Sequence, residues 1–407
     1  VSAPILNPDW AMLPLFDRSQ WKLVRFGDVV EMLKEQVDPA SGNVERYVAG
    51  EHMETENVHI RKWGTVGDGY LGPAFIRRFR KGQVLYGSRR TYLKKVAMAE
   101  FDGVTANTTF VLQADEGKLL QALLPWLMLS ERFTEHSIRE SKGSTNPYIN
   151  FPDIAKFEFA LPPLDQQRRI AEILWAVDEA QIRASELASC CTELAKVTVA
   201  SALQLGVGMV HLGDLITEGP QNGLYRPADV YGDGCAILRI DSFYDGRIST
   251  TGNLKHVRID PDDVSRYGLR LDDLLINRVN SIEFVGKCAL VEKLDEPTVF
   301  ESNIMRFGVD RSRIDPKFLV RWMCLDHFRN HIVARAKHAI NQASVNQSDI
   351  RSASIPLPTI STQMAIMSRV LHFENAASAS VTSASDLNGL STAFVNALWD
   401  HSDLYRI

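Results

Sequence analysis

The sequence predicts an α+β fold made twice: two tandem α/β blocks, each followed by a long amphipathic helix. Three observations predict it. The junction FALPPLDQQRRIAEIL at 159–174 returns in worn form as IPLPTISTQMAIMSRV at 355–370. Sliding 101–170 onto 297–366 without a gap pairs Asn107 with Asn303, Trp126 with Trp322, Leu129 with Leu325 and Arg139 with Arg335. The same slide lays INFPDI on VNQSDI and matches Leu161, Pro162, Gln167 and Ile170 with Leu357, Pro358, Gln363 and Ile366. The openings RFGDVV at 25–30 and HLGDLI at 211–216 also match, at another offset, so the copies differ in length between these anchors. Self-similarity on this scale marks a tandem duplication.

In chain order, residues 1–20 form an N-terminal extension whose Trp10, Leu13, Leu15 and Phe16 are costly to leave in water. It is expected to cap the helices near the C-terminal WDHSDLYRI. The first block, 21–163, carries glycine-bounded β-branched and aromatic runs, KGQVLYGS, KKVAMAEF and NTTFVLQA, that read as short strands of a mostly antiparallel sheet. The second block, 207–358, repeats this with GCAILRI, DDLLINR and VGKCALVEK. Helices are expected around 117–140 and 315–337. Proline is tolerated at a helix start and not inside, so Pro162-Pro163 and Pro358 open the helices of 164–206 and 359–402, with 403–407 as a tail.

Along the first helix Ile170, Ile173, Val177, Ala180, Ala184, Leu187, Cys191 and Leu194 alternate at spacings of three and four. The second keeps the phase with Ile366, Val370, Phe373, Ala377, Ser380, Leu387, Leu390 and Phe394. So narrow a seam buries one stripe against a partner helix. The simplest partner is the other helix, which predicts an antiparallel pair about 60 Å long holding two blocks apart.

Composition narrows the function classes. A chain of 407 residues with 45% hydrophobic and 23% charged residues describes soluble globular domains. Its five cysteines form no CxxC and no metal-like spacing with histidine, which favours a reduced cytoplasm over a disulfide framework or zinc site. No apolar run approaches a membrane span. The net charge of −5 opposes nucleic acid binding, yet 76–95, IRRFRKGQVLYGSRRTYLKK, holds eight Lys or Arg and no acid. Local basic faces matter more than the total.

Catalytic signatures are missing. Asn146-Pro147-Tyr148 resembles the Asn-Pro-Pro-Tyr motif of adenine methyltransferases, but lacks the second proline, and its copy at Gln342-Ala343-Ser344 keeps none of it. No phosphate-cradling GxxxxGK[ST] loop and no HExxH occurs. Asp262-Asp263 and Asp272-Asp273 read as solvated turn residues, and His52, His59 and His136 as structural or surface histidines without recurring partners.

LPPLDQQRRIAEIL at 161–174 closely resembles the junction opening each conserved helical region of the specificity subunits of type I restriction-modification enzymes, commonly called HsdS. The second copy departs from the pattern at Thr359 and at Met364-Ala365, while Gln363 and Ile366 survive. The resemblance implies two tandem α/β target recognition domains separated and joined by two long antiparallel coiled-coil helices in a pseudo-twofold, circular arrangement. It implies a DNA-binding, non-catalytic subunit in which each domain reads one half of a bipartite, asymmetric target on double-stranded DNA. The helices fix the gap and dock two modification (methyltransferase) subunits, joined by two restriction (translocase/nuclease) subunits. Cofactors follow from the same resemblance: none here, with S-adenosylmethionine, ATP and Mg2+ in the partner subunits. The alternatives are a self-contained DNA methyltransferase or nuclease, or the specificity subunit of a type IIB-like hybrid system.

Base reading needs paired donors and acceptors, Arg for guanine and Asn or Gln for adenine. In the first block the candidates are Arg61, Lys62, Ser88, Arg89, Arg90, Tyr92, Lys142, Ser144, Asn146 and Tyr148. In the second they are Asn222, Tyr225, Arg226, Asn277, Arg278, Asn280, Lys337, Asn341 and Gln342. Arg77, Arg78, Lys94 and Lys95 suit phosphate contacts, which position without specifying. For helix pairing and subunit docking the candidates are Gln167, Ile170, Leu174, Val177, Leu187 and Leu194, with Gln363, Ile366, Val370, Phe373, Leu387, Leu390 and Phe394.

Overall fold

The computed structural model describes residues 17–41, 43–249, 254–340 and 342–399. Trp10, Leu13, Leu15, Phe16 and Asn341 lie outside them. Contacts divide the chain into two units: residues up to Ser185 together with those from Thr382 on, and Glu186–Val381. Among the described residues no helix is long and apolar enough to cross a membrane.

In the first unit the duplicated opening and the junction are neighbours. Strand Lys22–Arg25 pairs antiparallel with Glu158–Leu161, the strand that leads into the prolines. Phe26 N–H then donates to Phe157 O at 2.8 Å, and Gly27 sits so close to Ala155 that a Cβ there would meet Ala155 Cβ at 2.8 Å. The second unit repeats this: Met209–His211 pairs with Ser354–Pro356, Leu212 N–H donates to Ala353 O at 2.8 Å, and a Cβ at Gly213 would lie 3.0 Å from Arg351 Cβ. The shared glycine of RFGDVV and HLGDLI is therefore a packing requirement.

The predicted strands form one antiparallel sheet in the first unit, in the order Val30–Leu33, Thr109–Ala114, Val84–Gly87, Val96–Met98. The second unit keeps that order as Ile216–Asn222, Ile304–Val309, Leu274–Asn277, Cys288–Leu290 and adds Gly246–Ile248 and Phe243–Tyr244 at the edge. A second sheet in each unit holds a parallel pair, Arg46–Val48 with Gly103–Ala106 and Tyr231–Leu238 with Thr298–Phe300. Alternate residues of the central strands are buried with Trp126, Phe133, Phe157 and Phe159 in one unit and, Phe307 among them, with Phe318, Trp322 and Phe328 in the other.

Each helix expected before the junction is two: Leu124–Leu129 and Glu131–Arg139, then Pro316–Met323 and Asp326–Arg335. Ser130 leaves the helical conformation and accepts from Phe133 N–H, ending one helix and capping the next.

The long helices run Leu164–Ala200 and Ile360–Trp399. In the first unit the opening turns of the first helix (Ile170, Ala171, Leu174) share a core with the closing turns of the second (Val395, Leu398, Trp399). In the second unit Ala195 and Val199 share a core with Ile366, Met367 and Val370. Within each unit, then, the start of one helix packs beside the end of the other, as antiparallel segments do. The seam itself departs from expectation: Leu187, Leu194 and Leu390 are exposed (53, 42 and 60%), whereas Ala188, Cys191, Ala195 and Val199 are buried. A 3.5-residue reading drifts about 20° per heptad against a straight helix, so over the three heptads from Ile173 to Leu194 the expected stripe turns roughly 60° away from the inward face.

Gln167 and Gln363 also differ from expectation. Both are wholly buried and serve the junction, so neither is available to another subunit. Gln167 donates to Pro162 O (2.8 Å) and Lys118 O (2.7 Å) and accepts from Leu120 N–H (2.9 Å). Gln363 donates to Pro358 O (2.8 Å) and Arg313 O (3.0 Å) and accepts from Asp315 N–H (2.8 Å). The amide ties each helix start to the loop entering its block's helices, satisfying backbone groups that proline leaves open.

Candidate nucleic-acid interface

Two segments singled out separately in the first block are joined in the structure. Beyond the strand ending at Gly87, Ser88 N–H and Oγ both donate to Thr108 O (3.0 and 2.6 Å). Arg89 forms a bridge with Tyr148, and Arg90, in the left-handed region at φ 50°, donates its N–H to Pro147 O at 2.7 Å. Lys142 and Tyr148 exchange backbone hydrogen bonds of 2.8 and 2.9 Å, closing a loop over Gly143, Ser144, Thr145 and Asn146. Ile149 N–H returns to Ser88 O at 2.9 Å. The result is a small ladder presenting exposed Arg89, Arg90, Lys142, Ser144, Asn146 and Tyr148, with the Arg89 guanidinium 5.9 Å from the Tyr148 ring centre. Asn146-Pro147-Tyr148 is part of this scaffold.

The second unit builds the same ladder more regularly. Val279–Asn280 pairs with Gln342–Ser344, which pairs with Lys337–Ala339. Val345 N–H donates to Arg278 O at 2.9 Å, as Ile149 does to Ser88. Lys337, His338 and Gln342 are exposed, and Ile340 at the turn is 94% exposed. Arg278 and Asn280 are half-buried, Arg278 donating to Ser302 O at 3.2 Å and Asn280 Oδ1 accepting from Ser281 N–H at 2.8 Å. Backbone pairing on both sides holds such side chains at defined heights, as a β-ribbon reading a groove requires.

Other predicted residues are placed differently. Asn277 is wholly buried within its strand and Ser88 is buried with its hydroxyl spent on Thr108, so neither side chain is presented to a ligand. Arg226 is ion-paired with Asp263, and Asn222 and Tyr225 are exposed at the end of the strand Ile216–Asn222. Arg61 and Lys62 are exposed before the other sheet's edge strand Gly64–Thr65, with Lys62 3.4 Å from Glu54. Arg77 and Arg78 are half-buried on Phe75–Phe79, Arg78 lying 3.7 Å from Glu35. Lys94 is held by Glu56 (2.8 Å) and Glu131 (2.6 Å), and Lys95 donates to Gly50 O. Cations so engaged have spent much of their charge inside the protein. Asp263 stands in the first turn of the helix Pro261–Tyr267, and Asp273 is buried, accepting from Arg270 N–H at 2.7 Å, so Asp273 is not the solvated turn residue its sequence context suggests.

Histidines do recur. His136 Nε2 faces Asp153 O at 2.9 Å and His331 Nε2 faces Asp349 O at 3.1 Å. The spacing from His136 to His331 is 195, one short of the slide of 196, which hid the match. His59 stands between Glu100 and Asp178, 2.6 Å from each. The hydrogen bond to Asp178 raises its pKa above the ordinary 6.5; burial lowers it, and Glu100 raises it further. At the matching helix position (178 + 196 = 374), Glu374 accepts from Arg321 Nε at 3.0 Å and pairs with Arg247. Burial pushes the Glu374 carboxyl up, and the two guanidiniums bring it below its ordinary value.

Residues 18–188 match the family described as Type I restriction modification DNA specificity domain. The putative type I restriction enzyme MjaX specificity subunit of Methanocaldococcus jannaschii is 31% identical over 163 residues, 39% of this chain and 38% of that protein. The type I restriction enzyme StySPI specificity subunit of Salmonella potsdam is 24% identical over 296 residues, 66% of this chain and 64% of that one. The EcoKI specificity subunit of Escherichia coli is 25% identical over 264 residues, 58% and 56%. The aligned stretches thus span 38 to 64% of these relatives' lengths. The fold resembles a chain from a structure on complex assembly and conformational transition of the type I R-M system (TM-score 0.60, 17% identity, 94% of this chain and 98% of that one). It also resembles the type I restriction-modification S subunit from M. genitalium (TM-score 0.56, 12% identity, 95% and 98%). Junction, duplication, fold and relatives point the same way: residues 18–188 match the type I DNA specificity domain, and the chain as a whole is similar to the specificity subunits of type I restriction-modification enzymes.

Proposed function

We propose that this chain is the DNA-reading, non-catalytic subunit of a type I restriction-modification complex, each unit reading one half of a bipartite target. The observation that carries the reading is the ladder built twice, at the same place in each unit, from segments that differ in nearly every exposed side chain. A constant frame with variable reading residues is what two unlike half-sites require. Arg89, Arg90, Asn146, Asn280 and Gln342 are the base readers under this proposal; Arg61 and Lys337 contact phosphate.

The long helices set the gap between half-sites and dock the modification subunits. Leu187, Cys190, Leu194 and Val197 are exposed at spacings of three and four, an apolar stripe that supports docking. Two restriction subunits complete the assembly, and S-adenosylmethionine, ATP and Mg2+ serve the partners. The test is to replace residues 21–163 with the same block of a related subunit and map methylated adenines in cells carrying the partner genes. One half of the target is expected to change and the other to stay; a change in both halves would refute modular reading.

A further inference from the structure

The connection that leads into each ladder carries a second repeated feature. In the first unit the strands Val84–Gly87 and Val96–Met98 pair as Tyr86↔Val96; in the second, Leu274–Asn277 and Cys288–Leu290 pair as Ile276↔Cys288. One rung further out, Gly87 N–H donates to Lys95 O at 3.0 Å and Asn277 N–H to Lys287 O at 2.8 Å. These rungs make Lys95 and Lys287 equivalent, and counting back three residues makes Tyr92 and Phe284 equivalent (95 − 92 = 287 − 284). Both sit in a tight turn: Leu93 N–H donates to Arg90 O at 2.8 Å and Val285 N–H to Ser281 O at 2.9 Å. The next residue points inward, with Leu93 half-buried and Val285 wholly buried. The aromatic ring points out, Tyr92 at 52% exposure and Phe284 at 43%.

About half of each aromatic residue stays in water, with Lys287 Nζ 5.7 Å from the Phe284 ring centre, and the flanking positions have diverged completely, Arg89-Arg90-Thr91 against Ser281-Ile282-Glu283. The turn also stands beside the ladder. Thr91 Oγ1 lies 3.2 Å from Ser141 Oγ next to Lys142, and Ser281, which anchors the second turn, directly follows Asn280. We propose that Tyr92 and Phe284 are aromatic wedges of the two half-site readers, each inserting its ring at a base step of its own half-site. They add affinity with little regard to base identity, while the ladders supply identity. A flat ring suits this because, once a step is partly unstacked, the loosened base offers a π face to the ring.

This rests on the DNA-reading proposal, and the experiment separates the two. The full chain, with its modification subunits, is titrated against duplexes of the target found by methylation mapping, each with 2-aminopurine at one position. Tyr92→Ala and Phe284→Ala are each expected to weaken binding about 5- to 150-fold, from roughly 1 to 3 kcal/mol per stacked base. The parent complex should raise 2-aminopurine fluorescence above that of the free duplex at the opened step, and each alanine variant should abolish that rise in one half-site only, with the slope of affinity against salt unchanged, since no phosphate contact is lost. Tyr92→Phe and Phe284→Tyr should bind within about twofold of the parent, the size of effect expected when the stacked ring is kept. Alanine variants that bind and brighten the probe as the parent does overturn the wedge assignment, as does a loss arising from failure to hold the modification subunits. A parent complex with no bipartite preference overturns the reading beneath it instead.

Discussion

The two units fasten their blocks to the long helices through the same helix position and with opposite chemistry. Asp178 on the first helix meets His59 from a loop of the first block, and Glu374, 196 residues on, meets Arg247 and Arg321 from a strand and a helix of the second. The carboxylate survived duplication and the cation was replaced from different elements. What the fold retains is therefore a negative charge where block and helix meet; the identity of the cation is free to vary. The difference has a consequence, because guanidinium stays charged at any pH a protein meets and imidazole does not.

The largest effect is expected from Glu374→Gln. Arg321 is almost wholly buried, so removing its partner strands a charge away from water, at a cost of about 3 kcal/mol. Urea unfolding gives the total, and peptide-resolved hydrogen exchange should locate the loss in Glu186–Val381. A loss spread evenly over both units would show that the clamp is not local. Next come Gln167→Ala and Gln363→Ala, which probe what the units share. Each leaves an N–H and two carbonyls without their amide partner, costing about 2 kcal/mol. Because the two sets of hydrogen bonds coincide, the two losses should agree closely; losses differing severalfold would mean the repeated junction has taken on different structural duties.

How far these features were legible follows from their range. The repeat, the strands and the proline-opened helices rest on local pattern, and the structure carries them. The seam needed geometry as well: the spacing of Leu187 and Leu194 is right for a supercoil, and a straighter helix turns those leucines outward and brings Ala188 and Ala195 in. Gln167 read as a docking residue because two of its three partners, Lys118 and Leu120, lie almost 50 residues away and all three are backbone atoms, which leave no trace in side-chain pattern. The ladders were half legible: 88–92 and 142–148 stood out for composition, but their pairing spans more than 50 residues and depends on backbone register. Asn277 reads as a strand-end polar residue and proves buried, its N–H paired with Lys287 O.

The smallest effect, and the sharpest separation of the units, lies in pH. A neutral imidazole has one N–H, so His59 can satisfy carboxylates at both ring nitrogens only as imidazolium. Its folded pKa is raised above the unfolded 6.5, so its stabilisation is complete below about pH 6.5 and is lost as pH climbs through the raised value. Arg61 opposes the charge and Asp178 and Glu100 support it, while Lys81 and Trp175 line the same small cavity. Glu374 runs the other way: its folded pKa lies below the unfolded 4.5, so its contribution is present above pH 4.5 and fades only as pH falls through the lowered value. Raising pH from 6 to 9 should therefore speed hydrogen exchange, after correction for the intrinsic rate, in peptides covering 57–61 and 175–182 and leave those covering 245–249 and 371–376 unchanged. His59→Gln should cost about 1 kcal/mol at pH 6 and next to nothing at pH 9, removing the pH response from the first unit. Equal responses in both units, or a first unit that tightens with rising pH, would show that the imidazolium is not what holds that block to its helix.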